Sequence, residues 1–193
     1  MKVSTEFESD ILDIIKNRRS RRAFVHNKLI EAEKIKSLFE AARWAPSSVN
    51  EQPWVYVYAT KDQHELWDKI FESLNESNRV WAKDAPLLVV SLARKNYLRN
   101  DHPNNSAKYD VGAANAFLSL QATYLGLNVH QMGGFDHSLL RKNLNVPENF
   151  DVGVVMAIGY PGDPEQLPLS LREREVSPRL RHLQNEFVMN QTF

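Results

Sequence analysis

Apolar residues recur along the first half of the chain with helical and then strand-like spacing. Between residues 35 and 42, Ile, Leu, Phe and Ala occupy i, i+3, i+4 and i+7, which predicts an amphipathic helix. A cluster of Ile and Leu at 11–15 predicts a shorter helix before it. The aromatic and β-branched run 54–58 and the apolar run 86–92 predict two strands, of which the second is buried on both faces.

The second half of the chain repeats this mixture of helices and strands. Residues 111–125 predict a long helix. Its first half is rich in Gly and Ala, whose small side chains let another backbone pack closely. Gly126 suits the C-terminal cap of that helix. Strands are predicted at 128–132 and 152–158, and Asp136 is placed to cap a brief helix between them.

Three further segments carry weaker signals. Asp62 and Glu65 have the spacing of a capping box, which predicts a helix that continues to Leu74. The polar residues 94–105 predict a surface excursion that could serve as a lid. Residues 163–193 have no strong period but are basic, so we expect them to wrap onto another surface.

Composition narrows the class of protein. Helices and strands mix without the regular alternation of a doubly wound fold, which predicts one α+β domain over residues 1–193 with helices on both faces of a sheet. The 24 Lys and Arg balance the 24 Asp and Glu, which argues against a dedicated nucleic-acid or membrane-surface binder. There is no cysteine, no secretory signal and no long apolar run, so we expect a cytoplasmic protein without disulfides.

Several well-known catalytic motifs are absent from the sequence. No GxGxxG or Walker loop supports a classical dinucleotide fold or a P-loop, and no GxSxG supports a serine hydrolase. The six histidines show no HxxxH or HExxH spacing, so we expect no metal.

Eight of the thirteen arginines lie in two short stretches near the chain ends. In the first, Arg18, Arg19, Arg21 and Arg22 surround Ser20 and can donate many charge-assisted hydrogen bonds to a phosphate. A solvated basic turn and a nucleic-acid patch are the alternatives for this stretch.

The second stretch includes Arg179 and Arg181, which alternate with other residues. In an extended segment such residues point the same way, so these two could reach one anion together. A solvated tail is the alternative. Arg172 and Arg174 of the same stretch have no assigned partner.

Two loops are candidates for binding a ligand. Residues 45–54 offer two hydroxyls and two side-chain amides between two prolines, which suits a planar polar heterocycle. An ordinary helix-to-strand loop is the alternative. Gly133 and Gly134, after Met132, permit a ligand to approach backbone N–H groups closely, although a plain turn would have the same residues.

Taken in order, these segments resemble the FMN-dependent nitroreductase family. The family pattern begins with R-x-S-x-R/K at 18–22 and A-P-S-S-x-N-x-Q-P-W at 45–54. It continues with D-x-G-x-A at 110–114, G-G-F-D at 133–136 and A-I-G-Y-P at 157–161. Each motif alone is weak, but five in this order are specific and span nearly the whole chain.

The resemblance implies a fold and an assembly. The fold would be an α+β three-layer α/β/α sandwich with a mainly antiparallel central sheet. The assembly would be an intertwined homodimer with FMN at each of two sites between the subunits. Residues 1–193 would form one FMN-binding domain, whose C-terminal extension, about 163–193, wraps the partner subunit.

The resemblance also implies FMN contacts for several segments: the arginine-rich stretch at 18–22, the loop at 45–54 that the other subunit lends, the glycine turn at 133–136 and the basic tail. Arg22 would place positive charge near flavin N1 and O2. The matched residues are Arg18, Arg19, Ser20, Arg22, Pro46, Ser47, Ser48, Asn50, Gln52, Asn78, Met132, Gly133, Gly134, Arg179 and Arg181. Some members of the family carry Glu where this chain has Gly133, so their substrate preference cannot be transferred.

The implied activity is that of an FMN-dependent oxidoreductase. NAD(P)H would reduce FMN, and two electrons would pass to a nitroaromatic, quinone or related small-molecule acceptor in a ping-pong mechanism. The flavin would carry the chemistry, so no side chain is assigned as catalytic. The alternatives are a same-fold FMN enzyme with other chemistry (dehalogenation, enoate or aldehyde reduction, flavin breakdown) and a non-enzymatic flavin-binding protein.

Overall fold

The computed structural model of the chain describes residues 1–192. The strands in this range are β1 (Val3–Ser4), β2 (Trp54–Thr60), β3 (Leu87–Arg94), β4 (Asn128–Met132), β5 (Phe150–Gly159) and β6 (Arg181–His182). The helices of the same residues are α1 (Asp13–Asn17), α2 (Ala32–Arg43), α3 (His64–Phe71), α4 (Glu76–Ala82), α5 (Ala107–Tyr124), α6 (His137–Asn143) and α7 (Leu169–Val176). Short 3-10 turns lie at Ser48–Asn50, Pro164–Gln166 and Gln184–Glu186. Each helix within residues 1–192 is too short or too polar to span a bilayer.

The central sheet contains β2, β3, β5 and β4 in that order, and each neighbouring pair is antiparallel. β3 is buried along its length except at its last residue. Leu88 and Val90 contribute to the core on one face, and Leu87 and Val89 to the core on the other, as the two-residue period of a strand requires. The predicted strand over 86–92, buried on both faces, is therefore confirmed.

Helices cover both faces of this sheet. α3, α4 and α6 pack on one face, where Trp67, Ile70, Trp81 and Leu140 are almost fully buried together with Phe24. α2 and α5 pack on the other face. The helix residues of that second core include Leu38, Ala42, Ala114, Leu118 and Ala122. The expected α+β fold, a three-layer α/β/α sandwich with an antiparallel central sheet, is confirmed.

The C-terminal end of α5 directs the chain into an edge strand of the sheet. Gly126 has a φ of 74°, in the left-handed region that favours glycine. The N–H of Leu127 donates to the carbonyl of Ala122 at 2.8 Å, and the N–H of Gly126 donates to that of Thr123 at 3.1 Å. These two bonds form a Schellman motif, which confirms the predicted cap and leads directly into β4.

The predicted N-caps have different outcomes. Asp136 caps α6 as expected, because its carboxylate accepts the N–H of Leu139 at 2.9 Å. The capping box at Asp62 is wrong: Gln63 precedes α3, and no side chain caps that helix. α3 also ends before Leu74, which instead forms a β-bridge with the glycine turn.

Three short helices depart from the apolar pattern. α1 forms where expected, but none of its residues is fully buried in the single chain. The pattern does not predict α4, because its two buried residues, Trp81 and Ala82, are adjacent rather than spaced along a helical stripe. It does not predict α7, because the one buried residue of that helix is the charged Glu175.

The two ends of the chain pair with each other. β1 and β6 form a two-stranded antiparallel sheet in which Val3 lies opposite His182 and Ser4 opposite Arg181. The tail thus packs on the N-terminal residues of its own chain. Its expected wrapping of a partner subunit stays a prediction, and Phe193 lies outside the described residues.

The end of β5 is joined to the segment that follows the first arginine stretch. Phe24 forms an isolated β-bridge with Pro161, and the N–H of Gly162 donates to the carbonyl of Ala23 at 2.9 Å. A Cβ atom on Gly162 would lie 2.4 Å from the backbone carbonyl carbon of Phe24. Because that neighbour is backbone of a buried residue, it cannot move away easily.

We therefore expect Gly162→Ala to lower the free energy of unfolding by about 1–3 kcal/mol through overpacking. Urea unfolding followed by circular dichroism measures this change. Ser170→Ala, at an exposed position on α7, is the control and should stay within about 0.5 kcal/mol of the wild type. Equal stability of the two variants would contradict the close approach at Gly162.

Candidate functional site

The two arginine-rich stretches of the sequence meet in the folded chain. The guanidinium of Arg179 donates to the carbonyl of Arg18 at 2.6 Å and also to that of Lys16. A residue of the first stretch also donates to the tail: the guanidinium of Arg19 donates to the carbonyl of Ser177 at 2.6 Å. These bonds hold the tail against the turn that follows α1.

Arg18, Arg179 and Arg181 form a compact group of positive charges. Burial is the main cause that lowers the pKa of Arg18 and of Arg179, and the positive charge of Arg181 lowers both further. No carboxylate of residues 1–192 lies within 4.0 Å of these three guanidinium groups. They line a cleft of about 440 Å³ together with apolar side chains from residues 7–15 and with Glu6, whose carboxylate forms no ion pair with them. We call these three arginines the cationic group.

Ser20 and Arg22 complete the first stretch. Ser20 is exposed, and its hydroxyl accepts a hydrogen bond from the guanidinium of Arg18 at 3.3 Å. The side chain of Arg22 is 17% exposed and lies 3.8 Å from the carboxylate of Glu175. Burial is the main cause that lowers the pKa of Arg22, and the positive charge of Arg174 lowers it further. The negative charge of Glu175 acts in the opposite sense and raises this pKa. Arg22 therefore has a buried counter-ion, which the cationic group lacks among the described residues.

The glycine turn follows the buried Met132 at the end of β4. The carbonyl of Gly134 accepts the N–H of Asn75 at 3.0 Å and the side-chain amide of Asn78 at 2.9 Å. Asn78, on α4, thus holds the turn in place through this hydrogen bond. Gly133 is exposed, and a Cβ atom there would meet no atom within 4 Å, so its surroundings are open.

His130 on β4 lies between the glycine turn and the arginine stretch. Its Nδ1 is 3.1 Å from the carbonyl of Arg21, and its ring lies 4.6 Å from that of the buried Trp81 between centroids. Burial, and to a smaller extent the positive charge of Arg22, lower the pKa of His130 to about 4. The imidazole is therefore neutral near pH 7, and it anchors the arginine stretch to the sheet.

The loop 45–53 between α2 and β2 has an uncommon backbone. Val49, Asn50 and Gln52 have φ values of 48°, 57° and 52°, in the left-handed region that is most costly for a β-branched residue such as valine. The hydroxyl of Ser47 accepts the N–H of Gln52 at 3.0 Å, and the amide of Gln52 donates to the carbonyl of Asn50 at 3.2 Å. Such a conformation persists only where the surroundings enforce it.

Contacts with two other segments enforce this loop. The carboxylate of the buried Asp110, on α5, accepts the N–H of Ser48 at 3.1 Å. The carboxylate of Glu51 accepts the N–H of Leu98 at 2.5 Å, which ties the loop to the predicted lid. Pro46 is exposed at the start of the loop. The loop is thus held in a strained, defined shape.

The sequence matches the Nitroreductase family model over residues 15–81 and 73–160, which together cover most of the chain. The chain belongs to the nitroreductase family. The fold agrees: a solved structure described as an oxidoreductase containing FMN is 34% identical and superposes with a TM-score of 0.91. That match covers 97% of this chain and 95% of the other.

Two curated relatives are similar to this nitroreductase-family chain over most of its length. A protein of Archaeoglobus fulgidus, provisionally named an NADH dehydrogenase/NAD(P)H nitroreductase, is 29% identical, and the match covers 80% of this chain and 87% of that protein. An iodotyrosine deiodinase of Thermotoga neapolitana is 27% identical, and the match covers 80% of this chain and 90% of that protein.

In this nitroreductase-family chain, the expected site residues fall into two groups at one end of the sheet. The loop 45–53 precedes β2 at one edge, and the glycine turn follows β4 at the opposite edge. Three strand spacings of about 4.8 Å separate these edges, roughly 14 Å in all. The arginine stretch lies on the β4 side, where Arg21 meets His130. One chain therefore brings the arginines, Asn78 and the glycine turn together, but not the loop.

Sequence reasoning does not single out two polar residues of the candidate site. His130 is one polar residue in a short strand, and a single histidine carries no spacing signal. Glu175 lies in the alternating run Arg-Glu-Arg-Glu at 172–175, which is typical of a solvated helix face. Only the fold shows that both are packed against the arginine stretch.

We expect His130 to make stability depend on pH. Its pKa falls from 6.5 to about 4 on folding, so the unfolded chain binds more protons between these values. The stabilisation is complete above pH 6.5 and is lost as pH falls toward 4. Urea unfolding at about pH 7 and about pH 5 should show the wild type losing about 1–2 kcal/mol more than His130→Gln, allowing for its partial exposure.

The control for this measurement is His64→Gln, which changes a histidine at an exposed position on α3. It should keep the pH dependence of the wild type. If His130→Gln loses as much stability as the wild type on acidification, the neutral, partly buried imidazole is ruled out.

Proposed function

We propose that this protein is an FMN-dependent oxidoreductase that oxidises NAD(P)H and passes two electrons to a nitroaromatic, a quinone or a related conjugated acceptor in a ping-pong mechanism. The observation that carries the proposal is the cationic group, whose three guanidinium groups form no ion pair with a carboxylate of residues 1–192. The FMN in the 34% identical structure supports the cofactor. The name of the Archaeoglobus fulgidus relative supports NAD(P)H as reductant.

The cationic group suits the phosphate of FMN. A phosphate monoester carries close to two negative charges and accepts several charge-assisted hydrogen bonds, which guanidinium groups donate well. Arg18 and Arg179 are half-buried and Arg181 is exposed, so the group combines fixed charges with access from solvent. We assign the phosphate to these arginines, with the hydroxyl of Ser20 beside them. Arg19, whose guanidinium donates to the tail, supports the cleft from outside.

The glycine turn and Arg22 suit the flavin ring. The open surroundings of Gly133 and the fixed position of Gly134 let a planar ligand approach backbone N–H groups. Arg22 supplies positive charge where reduction adds negative charge to the ring. When bound, FMN would supply the redox chemistry by accepting a hydride from NAD(P)H and delivering two electrons to the acceptor. The chain binds, orients and tunes the cofactor, and we assign no side chain as a catalytic acid or base.

We also propose that the protein is a homodimer, in which each site takes its loop from the partner subunit. In one chain, Pro46, Ser47, Ser48, Asn50 and Gln52 lie across the sheet from the glycine turn. The outer face of α5 offers an apolar surface for a second copy. Its side chains Tyr109, Phe117 and Tyr124 are 82%, 41% and 75% exposed. We further propose that residues 163–193 add to the contact between subunits.

Purified protein should be yellow and should release FMN on heating. Arg18→Ala combined with Arg181→Ala should weaken FMN binding by roughly 10²–10⁴-fold, since each charged contact contributes about 1.5–3 kcal/mol. Fluorescence titration of the apoprotein with FMN measures the dissociation constant.

The matched control is Lys36→Ala combined with Arg43→Ala. These two side chains carry the same total charge but form exposed ion pairs with Glu33 and Glu40 on α2. FMN affinity should stay within about threefold of the wild type, because exposed charges are screened by salt. A colourless wild-type protein that FMN cannot reconstitute would refute the cofactor itself.

Mixing two inactive variants tests the shared site. One variant is Arg18→Ala with Arg181→Ala, and the other is Asn50→Ala with Gln52→Ala. Each should bind FMN weakly alone, whereas a refolded equimolar mixture should recover roughly a quarter of the wild-type sites, because half of the dimers would be mixed and each would hold one intact site. No recovery, with a dimeric mixture by light scattering, would place the loop and the arginines in the same subunit's site.

The deiodinase relative favours a second candidate, a reductive dehalogenase that uses the same cofactor site. A panel of nitroaromatics, quinones and halogenated phenols, with NAD(P)H consumption as the readout, separates the two. Failure of NAD(P)H to bleach the bound flavin under anaerobic conditions would instead support a non-enzymatic flavin-binding protein.

A further inference from the structure

Glu175 is a buried carboxylate that joins the C-terminal tail to the first arginine stretch. Its side chain is 1% exposed. Oε1 accepts the backbone N–H of Arg22 at 2.9 Å and that of Ala23 at 3.2 Å. Oε2 lies 3.1 Å from the N–H of Arg22 and 3.8 Å from its guanidinium. One carboxylate therefore contacts both the backbone and the charge of Arg22.

The position of this carboxylate is costly unless it has partners. Removing a carboxylate from water costs several kcal/mol, which its hydrogen bonds and ion pair must offset. All the hydrogen-bond partners of the Glu175 carboxylate belong to Arg22 and Ala23, and no other residue of α7 is buried. Two further contacts hold the helix: the half-buried Leu171 packs against the core, and the backbone carbonyl of Glu175 accepts a hydrogen bond from the guanidinium of Arg19 at 3.4 Å. Glu175 also lies beyond residue 160, where the family match ends.

The same contact has an electrostatic consequence for Arg22. Its guanidinium is largely buried, so a counter-charge at 3.8 Å is weakly screened and offsets part of its positive charge. The cationic group has no such partner among the described residues. Among the described residues, a carboxylate therefore offsets part of the charge of Arg22, whereas the cationic group has no carboxylate within 4.0 Å.

We propose that Glu175 is a positioning residue that fixes Arg22 and makes the reduction potential of bound FMN more negative. This inference rests on the proposed function, in which Arg22 lies beside the flavin ring. Reduction adds negative charge to the ring, and a positive charge nearby favours the reduced form. Glu175 weakens that preference by opposing the charge of Arg22, so the bound flavin becomes a stronger electron donor.

The test is Glu175→Gln in the FMN-loaded protein. Glutamine keeps the length of the side chain and one oxygen that can accept the N–H groups of Arg22 and Ala23, while it removes the charge. The potential of bound FMN, measured by equilibration with redox dyes, should become more positive. A tenfold rise in the preference for reduced over oxidised FMN corresponds to about 30 mV for this two-electron couple.

The matched control is Glu173→Gln, on the same helix. Glu173 is exposed, and its substitution removes the same charge without touching Arg22. Its potential should equal that of the wild type. In an Arg22→Gln background, Glu175→Gln should shift the potential much less, because the two groups act through each other. Equal potentials in the Glu175 and Glu173 variants would overturn the proposal.

Glu175→Asp provides a second variant if the glutamine variant does not fold. The shorter carboxylate retreats from Arg22 but keeps its charge, so the potential should rise by a smaller amount. An unchanged potential in that FMN-loaded variant would also overturn the inference while leaving the proposed function intact. A wild-type protein that cannot bind FMN would overturn both.

Discussion

The docking of the C-terminal tail on residues 16–23 organises the candidate site. Arginine side chains from both ends of the chain repel one another, yet the fold brings them together. Hydrogen bonds from Arg179 and Arg19 to backbone carbonyls, and the buried carboxylate of Glu175, provide the attraction that offsets this repulsion. Bonds to neutral carbonyls leave the positive charge of the arginines in place. The chain can therefore gather the cationic group without neutralising it, while Glu175 offsets part of the charge of Arg22 alone.

Much of the fold follows from the apolar pattern. The buried strand β3, the helix α5 with its cap at Gly126 and the cap at Asp136 each have a local signal that matches the structure. The pattern fails where a helix does not bury an apolar stripe. The one fully buried residue of α7 is the charged Glu175, and α4 buries only an adjacent pair of residues, so neither shows the expected period. At α3, the backbone begins the helix after Gln63, and Asp62 is left without a capping role.

The candidate site is less visible in sequence than the fold. Motif order relates the arginine stretch to the glycine turn, and the structure brings these two together through His130 on β4. The loop 45–53 lies at the opposite edge of the sheet, a separation that no sequence spacing reveals. The strand order decides it, because β3 and β5 lie between β2 and β4. A neutral net charge likewise conceals the clustering of the arginines in space.

The open surroundings of Gly133 have a consequence for how this fold diversifies. A Cβ atom at that position would meet no atom of its own chain within 4 Å, and its φ lies outside the left-handed region that favours glycine. Packing in the chain therefore places little constraint on residue 133, in contrast to Gly162, where the neighbouring backbone excludes a Cβ atom. A substitution at residue 133 can change the surface of the glycine turn while the core is left untouched. Such a position can vary in evolution independently of the packing that maintains the fold.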